Sequence, residues 1–331
     1  MRILRYGEHI DFYPQYTQRE LEKYTQSELA TVYTFGMEIE TDAYETHESL
    51  EEIADIVEEF QQARFSIMPC KDSNNQKTRM FNYTHDGSIT GIEFVTQPMS
   101  FDYFLEHKED FHAFLKLLTE HGMTAHNGGN CGLHFHVNHG YLQANKLGND
   151  QANLDVLIAT AKNMKAVSYT FKDEFKKFSR RNESQSHWCE YDNRLDTNIL
   201  KKVTDKNTTD SEKNSYKHSG HRYKAVNICN STTIECRMMR GTLKWETFYL
   251  TVNFIHNFAM ACCKDGYVGF RSLVYQKLDS EMKTYADKYL AERKIEITDK
   301  VVRTYGSQSY KKALKEMQLK QLMGDNQTCV L

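Results

Sequence analysis

The sequence has no excess of positive charge, no long apolar run and no leader-like N-terminus. Its formal net charge is −3 at pH 7, whereas a general binder of nucleic acids or membrane surfaces would carry an excess of lysine and arginine. No stretch approaches the roughly 18 apolar residues that a membrane-spanning helix needs, and MRILRYGEHIDFYPQYTQ lacks the apolar centre of a signal peptide. We therefore expect a cytoplasmic protein without membrane or general nucleic-acid partners.

Two signatures of common sites are also missing. The eight cysteines are scattered without a C-x-x-C pair, which suits reduced thiols and argues against a disulfide framework and a zinc ribbon. The pattern G-x-x-x-x-G-K-S/T is absent, which excludes a P-loop nucleotide site. ATP bridged by metal ions in a sheet cleft is compatible with that absence.

The chain shows no internal repeat and no linker composition, so its 331 residues are expected to form one elaborated domain. An N-terminal arm over residues 1–30 precedes a core over residues 31–262, and a C-terminal helical extension covers residues 263–331. Within the core, residues 181–221 are polar, with almost no aliphatic pattern. A polar stretch of that length predicts a mobile loop that serves as a lid.

Apolar periodicity predicts the order of the secondary-structure elements. Strands are expected over residues 31–42, 131–137 and 221–242, the last as two strands that turn at residues 230–231, and a hairpin is expected over residues 79–97. Helices are expected over residues 48–65, 101–122, 153–178 and 245–259. Because hairpin signals recur, we predict an α+β fold with a mixed or antiparallel sheet and helices on one side.

The stretch CGLHFHV, residues 131–137, places two histidines in an apolar strand. His134 and His136 point to one face and the apolar residues point to the other, because side chains alternate along a strand. A pair of imidazoles can bind a metal or an anion, or can simply form hydrogen bonds. One strand does not decide between these alternatives.

Charged residues stand at alternate positions in other apolar segments too. They are Glu38 and Glu40 in GMEIE, Glu93 in GIEFV, and Glu235 and Arg237 in TIECR. Taken singly, each pattern fits an exposed strand edge or a cross-strand ion pair equally well. If the faces converge, the charges need a counter-charge, because an unpaired buried charge is very unfavourable. Carboxylates dominate the set, so we predict Mg²⁺ or Mn²⁺ rather than zinc.

Five motifs, in their order along the chain, resemble those of the amidoligase family, a branch of the glutamine synthetase and glutamate–cysteine ligase superfamily. They are GMEIE, DGSITGIEFVTQP, GGNCGLHFHV, RYKAVNI and TIECRMMRGTL. The resemblance covers residues 32–259. It implies a glutamine synthetase-like fold: a curved, mainly antiparallel sheet with helices on its outer face and a metal and ATP cleft on its inner face. Residues 1–331 would then be a single catalytic domain.

The resemblance implies two metal ions, which are Mg²⁺ or Mn²⁺. Glu38, His134 and Glu235 would hold one of them, and Glu40 and Glu93 would hold the other.

The same resemblance implies the contacts to ATP and to the substrates. It places His136 and Arg237 at the ATP phosphates, and Asp86, which shares the D-G-S turn with Ser88, at the incoming amine. Arg240 matches a second arginine of the family, although its odd offset from Arg237 keeps it off that strand face unless the strand bends. The catalytic groups are therefore expected to be Asp86, Arg237 and Arg240. Further ATP contacts are expected from Arg181, in a segment that resembles the S-R-R region of the family, and from Arg222 and Asn227 in RYKAVNI.

The implied reaction is the ATP-driven joining of a carboxylate to an amine through an acyl phosphate. The two substrates are expected to be small molecules, peptides or modified bases, and the sequence gives no indication of the oligomeric state. Glu38→Gln and His134→Ala are expected to abolish ATP turnover and to leave thermal stability unchanged or raised, because removing a buried charge relieves repulsion.

Other classes fit parts of the pattern. A cupin or non-haem iron site uses H-x-H on a strand but needs a glutamate shortly afterwards, where the chain reads HVNHGYLQ. A metal-dependent hydrolase would use the same ligands without nucleotide. A phosphotransferase without ligation would release a stable phosphorylated product. A non-catalytic binding or structural protein could retain the fold, although the motif set keeps every charged position.

Overall fold

The centre of the fold is a seven-stranded sheet. Its strands are β1 (Thr34–Glu40), β2 (Phe81–Thr84), β3 (Glu93–Thr96), β4 (Met99–Ser100), β5 (Gly132–Asn138), β6 (Val226–Asn227) and β7 (Thr233–Arg240). Their order is β2-β3-β1-β5-β7-β6, with β4 paired to the beginning of β1, and these pairs are antiparallel. This computed structural model describes residues 3–4, 10, 12–29, 32–65, 79–126, 130–139, 150–181, 189–217 and 222–306.

Alternation of apolar and charged side chains accounts for the two faces of the sheet. In β1, Phe35, Met37 and Ile39 are almost completely buried at alternate positions. Glu38 lies between Met37 and Ile39, and Glu40 follows Ile39, so both glutamates point to the opposite face. Strand β5 alternates in the same way, so one face of the sheet joins the apolar core and the other carries the charged residues.

Twelve helices are described. They are α1 (Gln18–Lys23), α2 (Gln26–Leu29), α3 (Leu50–Arg64), α4 (Phe101–Glu106), α5 (Lys108–Glu120), α6 (Asp150–Thr170), α7 (Lys172–Ser179), α8 (Thr197–Thr204), α9 (Asp210–Lys217), α10 (Trp245–Cys262), α11 (Phe270–Tyr275) and α12 (Ser280–Glu292). Helix α3 begins with a capping box, in which Ser49 and Glu52 satisfy each other's backbone N–H groups.

Aromatic side chains join the helices to the apolar face of the sheet. Phe81 of β2 stacks on Phe114 of α5 with ring centroids 3.9 Å apart, and Phe94 of β3 meets the same ring edge-on at 5.3 Å. Phe35 of β1 contacts Phe104 of α4. Helix α10 is buried along nearly its whole length because it packs against α5, α6, α11 and α12. The prediction of an α+β fold with a mainly antiparallel sheet is confirmed.

The N-terminal arm is attached to the sheet at two points. Leu4 forms a parallel bridge with Thr84, beside the end of β2, and Gln15 forms one with Met99 of β4. Helix α1 is tied down by Glu20, whose carboxylate accepts a 2.6 Å hydrogen bond from the Ser100 hydroxyl.

Several predictions for the peripheral segments were wrong. The described part of the supposed polar lid, residues 189–217, contains helices α8 and α9, and α8 buries Ile199, Leu200 and Val203. Each helix has only eight residues, too few to show a clear period in a polar sequence. Residues 182–188 and 218–221 lie outside the described part.

The C-terminal extension is not entirely helical. Strands β8 (Gly266–Gly269) and β9 (Val301–Thr304) pair antiparallel, and helices α11 and α12 lie between them in the chain. Residues 307–331 lie outside the described part.

Two of the predicted helices are each divided into two, at His107 and at Phe171. The predicted strand before residue 230 is reduced to the two residues of β6. None of the described helices combines the length and the apolar character that crossing a bilayer would require.

Candidate metal centre

Strand register brings the charged residues of four strands together. Glu38 of β1 pairs with His134 of β5, Glu40 of β1 pairs with Glu93 of β3, and His136 of β5 pairs with Glu235 of β7. Residues paired directly across neighbouring strands point to the same face. The acidic residues and histidines therefore meet on the face of the sheet opposite the apolar core.

These side chains line a cleft of about 170 Å³. All the residues predicted to bind metal lie there: Glu38, Glu40, Glu93, His134 and Glu235. Other predicted site residues lie there too, namely Asp86, His136, Arg222, Asn227 and Arg237. A wider cleft of about 650 Å³ adjoins the first and shares several of its residues, and it adds Ser88, Asn130, Arg181 and Tyr223.

Two groups of side chains in the cleft could each hold a cation. The carboxylate oxygens of Glu38 and Glu235 and a ring nitrogen of His134 lie within 4.8 Å of one another. Carboxylate oxygens of Glu40, Asp86 and Glu93 satisfy the same criterion. The first group matches the predicted set, and the second adds Asp86 to the predicted pair.

The donor atoms of both groups fit Mg²⁺ or Mn²⁺. Five of the six residues offer carboxylate oxygens, which are the ligands of hard divalent cations, and one imidazole is compatible with Mn²⁺. Structural zinc sites use mainly cysteine and histidine, and the six residues contain no cysteine.

Hydrogen bonds to two histidines hold Glu38. His134 Nδ1 donates to Glu38 Oε2 at 2.9 Å, and His136 Nε2 donates to Glu38 Oε1 at 2.8 Å. Burial acts to raise the pKa of Glu38, but the charge on His136 and these hydrogen bonds outweigh it and hold that pKa well below its usual range. Burial also opposes charge on His136, yet Glu38 and Glu235 raise the pKa of this histidine. His136 is thus the main counter-charge of Glu38.

In the second group, Glu93 lies among carboxylates of the same charge. Burial, followed by the charges of Glu38 and Glu40, raises the pKa of Glu93 well above its usual range. Thr84 donates a hydrogen bond to Glu93, and the backbone N–H of Gly132 donates one to Glu40. These donors orient the carboxylates without neutralising them, and a divalent cation between Glu40, Asp86 and Glu93 would relieve their repulsion.

Arg237 is the main counter-charge of Glu235. The two residues form a buried ion pair, and Arg237 overcomes the effect of burial and lowers the pKa of Glu235 to about 2. Among the described residues, Arg237 Nε has no hydrogen-bond partner although it is buried. Because Arg237 lines both clefts, its guanidinium is placed to contact an anionic ligand there.

The two consecutive arginines after α7 have different positions. Arg180 adopts a left-handed backbone conformation with φ 62°, and its Nη2 donates to the carbonyl oxygen of Arg240 at 2.8 Å. Arg181 donates to the carbonyl oxygen of Met239 at 3.2 Å and lines the wider cleft. The structure therefore brings Arg181 to the site and places Arg180 against the end of β7.

The position of Arg240 depends on a β-bulge. Phe135 pairs with Cys236 but Leu133 pairs with Met239, so β7 contains one extra residue over this interval. Because of this extra residue, Arg240, which pairs with Gly132, points to the same side of the sheet as Arg237. Its guanidinium donates to the carbonyl oxygen of His126, whereas the residues lining the two clefts do not include it. The strand bends, as the predicted role of Arg240 requires, but the side chain is held at the rim.

Close packing at the candidate metal centre requires glycine at position 132. A Cβ atom built there would collide with the His134 ring and would lie 2.9 Å from Arg181 Nη2. Gly36, opposite His136 on β1, has room, since its Cβ would approach nothing closer than 3.7 Å.

Sequence reasoning missed the residues that orient the ligands, above all Asn230, Thr84 and Thr233. Asn230 donates to Glu235 at 3.1 Å, and Thr233 Oγ1 lies 3.0 Å from His136 Nδ1. In the sequence, Asn230 gives only a turn signal, and its contact with Glu235 depends on how β6 and β7 pair.

Comparisons of the chain with protein-family models, curated proteins and solved structures found no match. What the site can do is therefore inferred from its own residues.

Proposed function

We propose that this protein is an ATP- and divalent-metal-dependent carboxylate–amine ligase of the amidoligase type, built on a glutamine synthetase-like sheet. One observation carries the proposal. Two groups of metal-ligating side chains lie side by side on one face of an antiparallel sheet, and a buried arginine with an unused donor lies against them.

In this proposal the site binds two Mg²⁺ or Mn²⁺ ions. Glu38, His134 and Glu235 would hold one ion, and Glu40, Asp86 and Glu93 would hold the other. Bound cations would supply positive charge at the oxygens of the phosphoryl group being transferred. Because Asp86 lies with Glu40 and Glu93, we assign it to the second ion in preference to the incoming amine.

The cationic side chains would bind the nucleotide and the carboxylate. Arg237 lines both clefts and Arg181 and Arg222 line the wider one, so a phosphate chain lying across the junction would meet all three. Guanidinium groups suit this task because they stay charged and donate several hydrogen bonds in a fixed plane. The wider cleft, with about 650 Å³, would take the carboxylate and the amine, carried by small molecules, peptides or modified bases.

The proposed reaction has two steps. The substrate carboxylate attacks the γ-phosphorus of ATP, so that ADP leaves and an acyl phosphate forms. The amine then attacks the acyl carbon, loses a proton and displaces inorganic phosphate, which leaves an amide. Exclusion of water from the cleft would protect the acyl phosphate during the second step.

Nucleotide binding tests the proposal first. The melting temperature would be measured with a non-hydrolysable ATP analogue, with and without Mg²⁺ or Mn²⁺, because a ligand of the native state raises it. We expect a shift that needs both nucleotide and metal and that disappears in Glu38→Gln. Phosphate release from ATP would then be screened with pairs of carboxylates and amines.

The competing functions give different results in the same experiments. A shift with metal alone, together with hydrolysis that needs no nucleotide, would identify a metal-dependent hydrolase. Binding of metal and nucleotide without turnover of any substrate pair would favour a non-catalytic binding protein. The absence of any shift with nucleotide would contradict the ligase proposal.

A further inference from the structure

Two asparagines hold one oxygen of Glu235. Asn227 of β6 pairs directly with Glu235 of β7, and its Nδ2 donates to Glu235 Oε2 at 2.8 Å. Asn230, in the turn between the two strands, donates from its Nδ2 to the same oxygen at 3.1 Å. The two amides thus converge on the side of the carboxylate that faces away from Arg237.

The orientation of the Asn227 amide is determined by its surroundings. The backbone N–H of Cys229 donates to Asn227 Oδ1 at 2.9 Å, and the Asn227 side chain is buried. Rotation of the amide by 180° would break this hydrogen bond and the one to Glu235 together. Asn227 therefore presents a donor, and not an acceptor, to Glu235.

Hydrogen-bond counting shows what remains of Glu235 for a cation. Each carboxylate oxygen has about two lone-pair sites. On Oε2 both sites are used by Asn227 and Asn230. On Oε1 Arg237 uses one site, which leaves a single site on an oxygen 3.8 Å from His134 Nδ1.

We propose that Asn227 and Asn230 are positioning residues that restrict Glu235 to one-oxygen coordination through Oε1, and that this restriction favours Mg²⁺ or Mn²⁺ over Ca²⁺. The proposal rests on the proposed metal-dependent function. Ca²⁺ takes six to eight oxygen ligands and often binds both oxygens of a carboxylate, whereas Mg²⁺ requires six ligands in a compact octahedron. A carboxylate with one free site supplies the single oxygen that the smaller cation needs, but it leaves Ca²⁺ one oxygen ligand short.

Metal titration without nucleotide tests the proposal. Binding of Mn²⁺ and of Ca²⁺ would be measured by calorimetry for the wild type, Asn227→Ala, Asn230→Ala and the double variant. We expect the double variant to bind Mn²⁺ about 10- to 100-fold more weakly, the range seen when partners of metal ligands are removed. Its affinity for Ca²⁺ should be unchanged or higher, because Oε2 becomes free to join Oε1. The Mn²⁺/Ca²⁺ selectivity is therefore expected to fall.

A matched control separates positioning from general stability. Asn163 is also buried, and its amide donates to the carbonyl oxygens of Cys262 and Tyr305, away from the cleft. Asn163→Ala should lower the melting temperature and leave the metal selectivity unchanged. In a Glu235→Gln background, loss of the two asparagines should have no further effect on selectivity, because the ligand that they orient has been removed.

Several outcomes would overturn the proposal. These are an equal weakening of both metals in the double variant, an unchanged selectivity, or the same loss of selectivity in the Glu235→Gln background. A wild type that binds neither metal would overturn both this proposal and the proposed function. A loss of selectivity in a protein that never consumes ATP would support the positioning role and contradict the ligase function alone.

Discussion

Glu38 and His134 face each other across the β1–β5 pair, with His134 Nδ1 2.9 Å from Glu38 Oε2. The two residues are 96 positions apart in the chain, and their contact places two of the proposed metal ligands against each other. In the metal-free protein the pair is joined by a hydrogen bond. In the proposed function, a cation bound by both side chains would compete with that hydrogen bond.

Replacing Glu38 or Glu93 with glutamine should change the stability of the metal-free protein in opposite directions. The pKa of Glu38 is lowered by its histidine partners and that of Glu93 is raised by burial and by neighbouring carboxylates. In EDTA at pH 7, we expect Glu38→Gln to lower the free energy of unfolding and Glu93→Gln to raise it, each by about 1 kcal/mol. Urea denaturation of both variants would measure this.

The expectation for Glu38 differs from the one that the sequence suggested. Relief of repulsion applies to Glu93, whereas Glu38 is stabilised by charges of opposite sign. A change of the same sign in both variants would contradict this electrostatic description. Both variants should lose metal-dependent ATP turnover under the proposed function.

In the metal-free protein, the contribution of Glu93 and His136 to stability should grow as the pH falls from about 8 towards 5, whereas His139 and His256, whose pKa values burial lowers to about 4 and about 3, act in the opposite direction. A carboxyl group with a raised folded-state pKa, such as Glu93, takes up its proton in the folded protein before the unfolded chain does, so folding is favoured as pH falls through that pKa. His136 acts in the same direction, because its raised pKa gives stability that is lost as pH rises. Denaturation in EDTA across this range would show the slope.

Glu93→Gln is the control for this pH effect. The substitution should remove the part of the pH dependence that belongs to Glu93 and leave the parts that belong to His136, His139 and His256. Saturating Mg²⁺ or Mn²⁺ should also flatten the curve above pH 6, because a bound cation keeps the carboxylates ionised. A wild-type slope that persists unchanged in Glu93→Gln would show that Glu93 does not titrate as described.

Gly132→Ala should disrupt the proposed metal centre. The added methyl group would overlap the His134 ring and lie 2.9 Å from Arg181, so we expect a destabilisation of about 1–3 kcal/mol and a loss of the metal-dependent rise in melting temperature. Gly36→Ala is the matched control, on the neighbouring strand with its Cβ at least 3.7 Å from other atoms. It should retain the metal effect. Equal effects of the two substitutions would argue against a steric requirement at position 132.

Arg181 and Arg240 should contribute differently to nucleotide binding. Arg181 lines the wider cleft, whereas Arg240 is held by the carbonyl oxygen of His126 at the rim. We expect Arg181→Ala to weaken binding of the ATP analogue about tenfold or more, since hydrogen bonds to charged groups are worth about 1.5–3 kcal/mol, and Arg240→Ala to have a smaller effect. Titration calorimetry would compare them. A larger loss in Arg240→Ala would show that this side chain leaves His126 to bind ATP.

Much of the site could be predicted because alternation along a strand is a local property. The spacing within each apolar segment determines that Glu38 shares a face with Glu40, that His134 shares one with His136, and that neither face is the one that joins the core. Helices α3 and α5 could be predicted for the same reason, since each buries a periodic set of apolar residues. These features depend on neighbours within a few residues.

Tertiary structure alone decided which faces meet and in what register. Pairing of β1 with β5 and of β5 with β7 sets Glu38 beside His134 and His136 beside Glu235, and a slip by one residue would reverse the faces. The bulge in β7 that turns Arg240, and the contact of Asn230 with Glu235, also depend on residues far apart in the chain. The sequence determined which side chains are available to a site, and long-range strand pairing determined that they form one, because pairing depends on packing that no single segment contains.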